Sequence, residues 1–146
     1  QAQINQKMKP LTHFLASLVL AAVFYPFFGW STLAIFAGGV LIDIDHYIYY
    51  ALKYKKMNIA VCYKFYAYDA AKEDFKDVTG SLMAFHTAEF AALCVLLSFY
   101  STLALMFTAG LLLHYFLDLI FLYLVPKKFI ANHSIVRWLI KNFQKV

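Results

Sequence analysis

The sequence predicts an all-α fold: an integral membrane four-helix bundle with a cytosolic or interfacial loop and a C-terminal amphipathic helix. Hydrophobic residues make up 63% and charged residues 14% of the chain, whereas a soluble domain is about 45–50% apolar and about 25% charged. Charges are also nearly absent from two long stretches. Only Asp43 and Asp45 are charged within 10–52, and only Glu89 and Asp118 within 78–126. Because a membrane-crossing helix needs about 20 apolar residues, each stretch can hold two crossings.

The four crossings are predicted at 11–25, 31–52, 81–99 and 103–125. Pro10 suits the first turn of the first helix, where a missing N–H costs nothing. Short uncharged turns at 26–30 and around 100–102 would join the helices in pairs. The predicted membrane domain covers 11–130. The segment 1–10 is expected to be an N-terminal extension, with 1–7 interpreted as an expression remnant or a disordered extension.

The polar segments indicate the orientation of the chain. The connection 53–80 holds six lysines and four acidic residues. The tail 131–146 sets Trp138 and Leu139 against Arg137 and Lys141, which is typical of an interfacial amphipathic helix. All 13 lysines and arginines lie in the N-terminal segment, the connection or the part after the fourth crossing. By the positive-inside rule these parts face the cytosol, so both termini are predicted on the cytosolic side of an inner or plasma membrane.

Ionisable side chains inside the predicted crossings are the candidates for a functional site, because a charge at mid-membrane costs about 2.5–3.5 kcal/mol. Helices 1 and 3 leave the cytosol and helices 2 and 4 return to it. At about 1.5 Å per residue, all the candidates fall within roughly 3–17 Å of the cytosolic boundary. We therefore expect them to meet in one layer of the bundle. The candidates are His13, Asp43, Asp45, His46, His86, Glu89, His114 and Asp118.

Spacing predicts which candidates share a helix face, since residues three or four apart lie on the same side of a helix. The predicted pairs are Asp43 with His46, His86 with Glu89, and His114 with Asp118.

Asp45 does not fit this pattern, because in an ideal helix it would point about 160° away from Asp43. Either the second helix is distorted near Gly38 and Gly39, or one of the two aspartates orients another ligand. The sequence leaves both alternatives open.

Imidazole and carboxylate groups together indicate a divalent metal, with zinc as the first choice and manganese or iron as alternatives. Three to four ligands suffice for one ion, so the eight candidates are enough for one or two ions. A bound cation would also neutralise the acids inside the membrane. In this interpretation all eight are metal ligands, and Asp45 and Glu89 are also candidates for a catalytic general base.

Four short motifs resemble those of the membrane-bound metal-dependent hydrolases, which are small multi-span proteins. LTH at 11–13, LIDIDH at 41–46, FHT at 85–87 and HYFLDL at 114–119 are similar, in the same order, to that family's TH, PDxDH, HRGxTHS and HxxxD motifs. There are two departures. Ile42 replaces the favoured proline, and the first histidine of HRGxTHS has no counterpart, so that either Glu89 substitutes for it or the site holds one metal fewer. The resemblance implies a metal site made from His13, Asp43, Asp45, His46, His86, His114 and Asp118.

Three functions fit these features. The first is a membrane-embedded metal-dependent hydrolase that attacks a lipid-like or phosphoester substrate, such as a phospholipid, at the cytosolic leaflet through metal-activated water. The second is ion- or proton-coupled transport, or a proton relay, through the intramembrane acids and histidines. The third is a non-catalytic membrane binding module stabilised by metal. We expect membrane lipids and a lipid-like or phosphoester substrate as partners, and no nucleic acid.

Overall fold

The computed structural model describes residues 10–66, 81–124 and 133–144. These ranges are mostly helical, which confirms the predicted all-α fold. The predicted extension before residue 10, the second half of the 53–80 connection and the end of the fourth crossing lie outside the described residues. The α-helices of the described part are α1 (Pro10–Phe28), α2 (Ala34–Gly39), α3 (Ile44–Tyr54), α4 (Ile59–Lys64), α5 (Ala88–Ser98), α6 (Thr102–Leu124) and α7 (Ile135–Phe143). Single 3-10 turns occupy Gly29–Leu33, Leu41–Asp43 and Ala84–His86.

Two helical stretches are long and apolar enough to cross a membrane: Pro10–Tyr54, which contains α1 to α3, and Thr102–Phe121 within α6. Only 17% and 28% of their most apolar windows are buried inside the protein. Val19 on α1 and Leu119 on α6 are 65% and 66% exposed, respectively. Apolar surface of this extent needs cover from lipid or from another protein.

The residue ranges of α1 and α6 agree closely with the first and last predicted crossings, but α1 is longer than expected. It continues through Pro26 to Phe28. The next residue, Gly29, has a positive φ of 54°, which terminates the helix. The predicted helix at 31–52 is divided into α2 and α3. The division begins at Val40, with φ −132° and ψ −47°, and the following turn is 3-10. This is the distortion near Gly38 and Gly39 that was one alternative for Asp45.

The predicted helix at 81–99 becomes α-helical only at Ala88. Thr87 has extended backbone angles, φ −100° and ψ 152°, and its side chain accepts a hydrogen bond from the Phe90 N–H. It therefore caps α5, which has 11 residues and is about 16 Å long, about half of the hydrocarbon thickness. Four uninterrupted crossings are thus not seen among the described residues.

Glycines allow α2 to pack directly on α6 and α1. A Cβ atom at Gly38 would lie 2.0 Å from the Phe107 carbonyl oxygen, and one at Gly110 would lie 2.2 Å from the Ile35 carbonyl oxygen. A Cβ at Gly39 would lie 2.2 Å from the Ser17 hydroxyl. The backbones are therefore in contact, and this contact places the break after α2 beside the second half of α6.

Candidate metal centre

The structure brings seven of the eight candidate residues together in one cluster. Their potential ligand atoms form three overlapping groups, each with its atoms within 4.8 Å of one another. The cluster is assembled from α1, from the 3-10 turn between α2 and α3, from the first turn of α3, from the turn before α5, and from α6. The three groups are His13, His114 and Asp118; Asp43, His86 and His114; and Asp45, His46 and His86.

Two imidazole nitrogens lie at the centre of this cluster, with two carboxylates near them. The Nε2 atoms of His86 and His114 lie 3.2 Å apart. The Asp43 carboxylate lies 3.5 and 3.6 Å from these two nitrogens, and the Asp118 carboxylate lies 3.9 and 3.1 Å from them. Zinc–ligand bonds of about 2.0–2.1 Å place the ligand atoms of a tetrahedral site about 3.3 Å apart. The spacings among Asp43, His86 and His114, from 3.2 to 3.6 Å, are therefore compatible with a shared cation.

In His86 and His114, the hydrogen bond made by Nδ1 determines that Nε2 faces the centre. His114 Nδ1–H donates to the Gly39 carbonyl oxygen at 2.9 Å, and His86 Nδ1–H donates to the Asp45 carboxylate at 2.9 Å. Because a carbonyl and a carboxylate can only accept, each neutral ring presents an Nε2 lone pair to the other. Metal-binding histidines are held in this way. Two opposed lone pairs with two carboxylates nearby require a cation or a proton between them, so the donor set fits a divalent metal.

Asp45 holds the cluster in place from one side. It is buried, and its two oxygens accept hydrogen bonds from His46 Nδ1 at 2.8 Å, His86 Nδ1 at 2.9 Å and the Phe85 N–H at 3.0 Å. Both alternatives that the sequence left open therefore hold. The helix is interrupted near Asp43, and Asp45 orients two histidines.

His13 closes the opposite side of the cluster. Its ring stacks on His114, with centroids 4.1 Å apart, and its Nε2 lies 3.4 Å from the Asp118 carboxylate. The His13 Nδ1 atom is buried and has no hydrogen-bond partner among the described residues. The side chains of Asp43 and Asp118 are 40% and 35% exposed, whereas that of His114 is fully buried. The cluster therefore opens to its surroundings on the side of these two aspartates.

Glu89 is the candidate that the structure places elsewhere. Its carboxylate accepts hydrogen bonds from the Ser134 hydroxyl at 2.6 Å and from the Ile135 N–H at 3.1 Å, at the start of α7. The predicted pairing with His86 on one helix face does not form, because the extended Thr87 separates the two residues. We therefore remove Glu89 from the ligand set and from the candidates for a general base.

Three contributors to the cluster were not identified from the sequence. The Gly39 carbonyl orients His114, the Tyr115 hydroxyl donates to the Phe85 carbonyl beside His86, and the Tyr66 hydroxyl donates to the His46 carbonyl at 3.2 Å. The glycine pair was recognised only as a point of distortion. The tyrosines carry no signal of their own in a chain that is 19% aromatic.

Comparisons of the chain with protein-family models, with curated proteins and with solved structures find no match. The resemblance to the membrane-bound metal-dependent hydrolases therefore stays a prediction that rests on the four motifs.

Replacing Asp45 with asparagine should weaken metal binding about 10–100-fold, the usual effect of losing a group that orients a ligand. The amide can no longer accept from both His46 and His86 with the strength of a carboxylate. Competition with a chelator of known affinity measures the change. Asp74→Asn, in the polar connection, is the matched control. Equal affinities in the two variants would contradict the orienting role of Asp45.

Proposed function

We propose that this chain is a membrane-embedded metal-dependent hydrolase that acts on a lipid-like or phosphoester substrate at the cytosolic leaflet. One observation carries the proposal: the Nε2 atoms of His86 and His114 face each other at 3.2 Å, with the carboxylates of Asp43 and Asp118 beside them. A divalent cation would lie within reach of Asp43, His86 and His114, which form one group of potential ligands, and the Asp118 carboxylate lies beside His114. Bound there, it would activate water and polarise a phosphoryl or carbonyl oxygen.

The residues divide by what they would do for such a cation. His86, His114, Asp43 and Asp118 would hold it, and zinc suits this donor set best. Asp45 orients His86 through its buried hydrogen bonds. His13, grouped with His114 and Asp118, and His46, grouped with Asp45 and His86, would offer two alternative positions for a second ion.

The substrate would reach the cluster from the side of Asp43 and Asp118, whose carboxylates are the partly exposed ones. An apolar groove of about 180 Å³ supports an amphipathic substrate. Two of its lining residues, Ile42 and Phe85, immediately precede Asp43 and His86 in the chain. The groove is lined by Ala37, Leu41, Ile42, Phe85, Phe90 and Phe107.

The proposed location in a membrane rests on α1 and α6. Both are long and apolar, and only 17% and 28% of the most apolar windows in their stretches are buried inside the protein. The interruption between α2 and α3 is compatible with this location. The Gly39 carbonyl, at the end of α2, accepts a buried hydrogen bond from His114 and so faces the protein. Irregular backbone within a membrane is tolerated where the protein buries it. The distribution of lysines and arginines supports a cytosolic location for both termini.

The test begins with elemental analysis of protein purified without a chelator and without a nickel resin. We expect one or two divalent ions per chain, and hydrolysis of at least one member of a panel of phospholipids, polyprenyl phosphates and lipid esters. Asp118→Asn should lose both the metal and the activity, since this carboxylate bridges His13 and His114. His133→Ala, an exposed histidine outside the cluster, is the control.

Two results would contradict the proposal. Protein free of metal that also fails to bind added zinc, manganese or iron would eliminate the metal site. Stoichiometric metal without hydrolysis of any lipid-like ester would favour the non-catalytic binding module. In that case Asp118→Asn should still lower the unfolding temperature, because the cluster would serve only to join the helices.

A further inference from the structure

The N-termini of α5 and α7 meet and satisfy each other's free backbone groups. The Glu89 carboxylate, in the first turn of α5, accepts from the Ser134 hydroxyl at 2.6 Å and from the N–H groups of Ile135 and Val136 at 3.1 and 3.3 Å. In return, the Ala88 N–H donates to the His133 carbonyl at 2.9 Å. A carboxylate at a helix N-terminus also interacts favourably with the helix dipole. The start of α7 is thus clamped to α5.

Helix α7 has three distinct sides. At about 100° per residue, Val136, Leu139, Ile140 and Phe143 fall within a sector of about 100°. Their side chains are 56%, 41%, 53% and 77% exposed, so this sector is left uncovered by the described part of the chain.

The two remaining sides of α7 differ in chemistry. Ile135 and Trp138 are partly buried and form the side nearest the rest of the protein. Arg137 and Lys141 are exposed one turn apart, about 60° and 100° around the helix from Ile140, the nearest residue of the apolar sector. The helix contains no acidic residue, and the one carboxylate at its N-terminus is occupied by hydrogen bonds.

We propose that α7 is a membrane-surface anchor, clamped to α5 through Glu89 and seated with its exposed apolar sector in the interface of a bilayer that contains anionic lipids. The pattern of an aromatic and aliphatic sector beside basic residues is that of helices that lie in the membrane interface. The positive side is complementary to lipid phosphates. This inference does not rest on the proposed hydrolysis, since it concerns a surface outside the metal cluster.

The anchoring is tested in the full chain with a single tryptophan in the apolar sector. Trp30→Phe and Trp138→Phe remove the native tryptophans, and Phe143→Trp introduces the probe. The protein is reconstituted in bilayers of phosphatidylcholine, with or without phosphatidylglycerol, whose acyl chains are brominated. We expect strong quenching, which increases with the anionic lipid. Each cation near an anionic surface contributes about a factor of five, so Arg137→Gln with Lys141→Gln should reduce the surface-bound population of the helix about thirty-fold relative to its free form.

A probe on another side of the same helix is the matched control. Asn142→Trp, in the same background, should be quenched much less than Phe143→Trp, because it lies outside the apolar sector. Equal quenching at the two positions, or no response of the Phe143→Trp probe to brominated lipid, would overturn the anchor. These outcomes are independent of catalytic activity, so a failed hydrolase assay would leave the anchoring result intact.

The clamp is tested by hydrogen exchange of the segment 133–144. Glu89→Ala removes the acceptor for the Ile135 and Val136 amides, and hydrogen bonds to a charged group are strong enough for their loss to accelerate exchange about tenfold or more. Exchange in α6 should not change. If the exchange of 133–144 in Glu89→Ala equals that of the wild type, the clamp is wrong.

Discussion

Replacing His114 with alanine should abolish metal binding and also destabilise the fold. The side chain is fully buried, stacks on His13, donates to the Gly39 carbonyl and faces His86. We expect the metal affinity to fall by more than the 10–100-fold that loss of an orienting group causes. Emptying a buried site of this size should also reduce the free energy of unfolding by about 2–5 kcal/mol.

Two measurements separate these effects. The chelator competition gives metal affinity, and thermal unfolding in detergent, with and without added metal, gives stability. His114→Gln retains most of the side-chain volume, so it should lose the metal with a smaller loss of stability. His133→Ala should change neither quantity. A His114→Ala protein that still holds one ion per chain would show that His114 is not a ligand.

The second large effect is expected from Gly38→Ala. The new Cβ would lie 2.0 Å from the Phe107 carbonyl and 2.8 Å from the Leu111 nitrogen, both backbone atoms of α6 that cannot move alone. Overpacking ordinarily costs about 1–3 kcal/mol. Because the obstacle here is backbone, we expect a loss above about 3 kcal/mol, measured as a lower unfolding temperature and as aggregation on size-exclusion chromatography. Gly110→Ala should act in the same direction, since its Cβ would meet the Ile35 carbonyl at 2.2 Å.

Gly29→Ala is the control for this prediction. Gly29 has a positive φ of 54° but nothing within 4 Å of its added Cβ. Alanine there is expected to cost only the about 1–2 kcal/mol of a left-handed conformation. If Gly38→Ala and Gly29→Ala unfold at the same temperature, close contact between α2 and α6 is not what makes Gly38 necessary. Gly38→Ala should also lower metal affinity, because separating α2 from α6 moves the Gly39 carbonyl away from His114.

The all-α fold and the meeting of the polar residues could be predicted because both follow from coarse properties of the chain. The hydrophobic stretches locate α1 and α6. The predicted alternation of helix directions puts His13 and Asp118 at one depth of the expected membrane, and in the structure they lie 3.4 Å apart. Pairs within a continuous helix were also predictable, since His114 and Asp118 interact across one turn of α6 at 3.1 Å.

The interrupted helices were harder to predict because a single backbone conformation decides them. Thr87 lies within an apolar run, and its role as the cap of α5 depends on the preceding residues turning toward Asp45. Glu89 was assigned to the cluster on the assumption that the helix began before His86. Its true partners, at Ser134 and Ile135, are distant in sequence and belong to a segment with no apparent link to α5.

The spread of the cluster along the chain has a consequence for biosynthesis. In the proposed membrane-embedded protein, the acids at positions 43 and 45 would enter the membrane with the first half of the chain, whereas His114 and Asp118 are synthesised much later. Those acids lack His86 and the Phe85 N–H until that segment is synthesised, and Asp43 lacks His114 until α6 is in place. We therefore expect ion loading to be a late step of maturation, and a chain truncated before α6 to be a preferred target for membrane quality-control proteases.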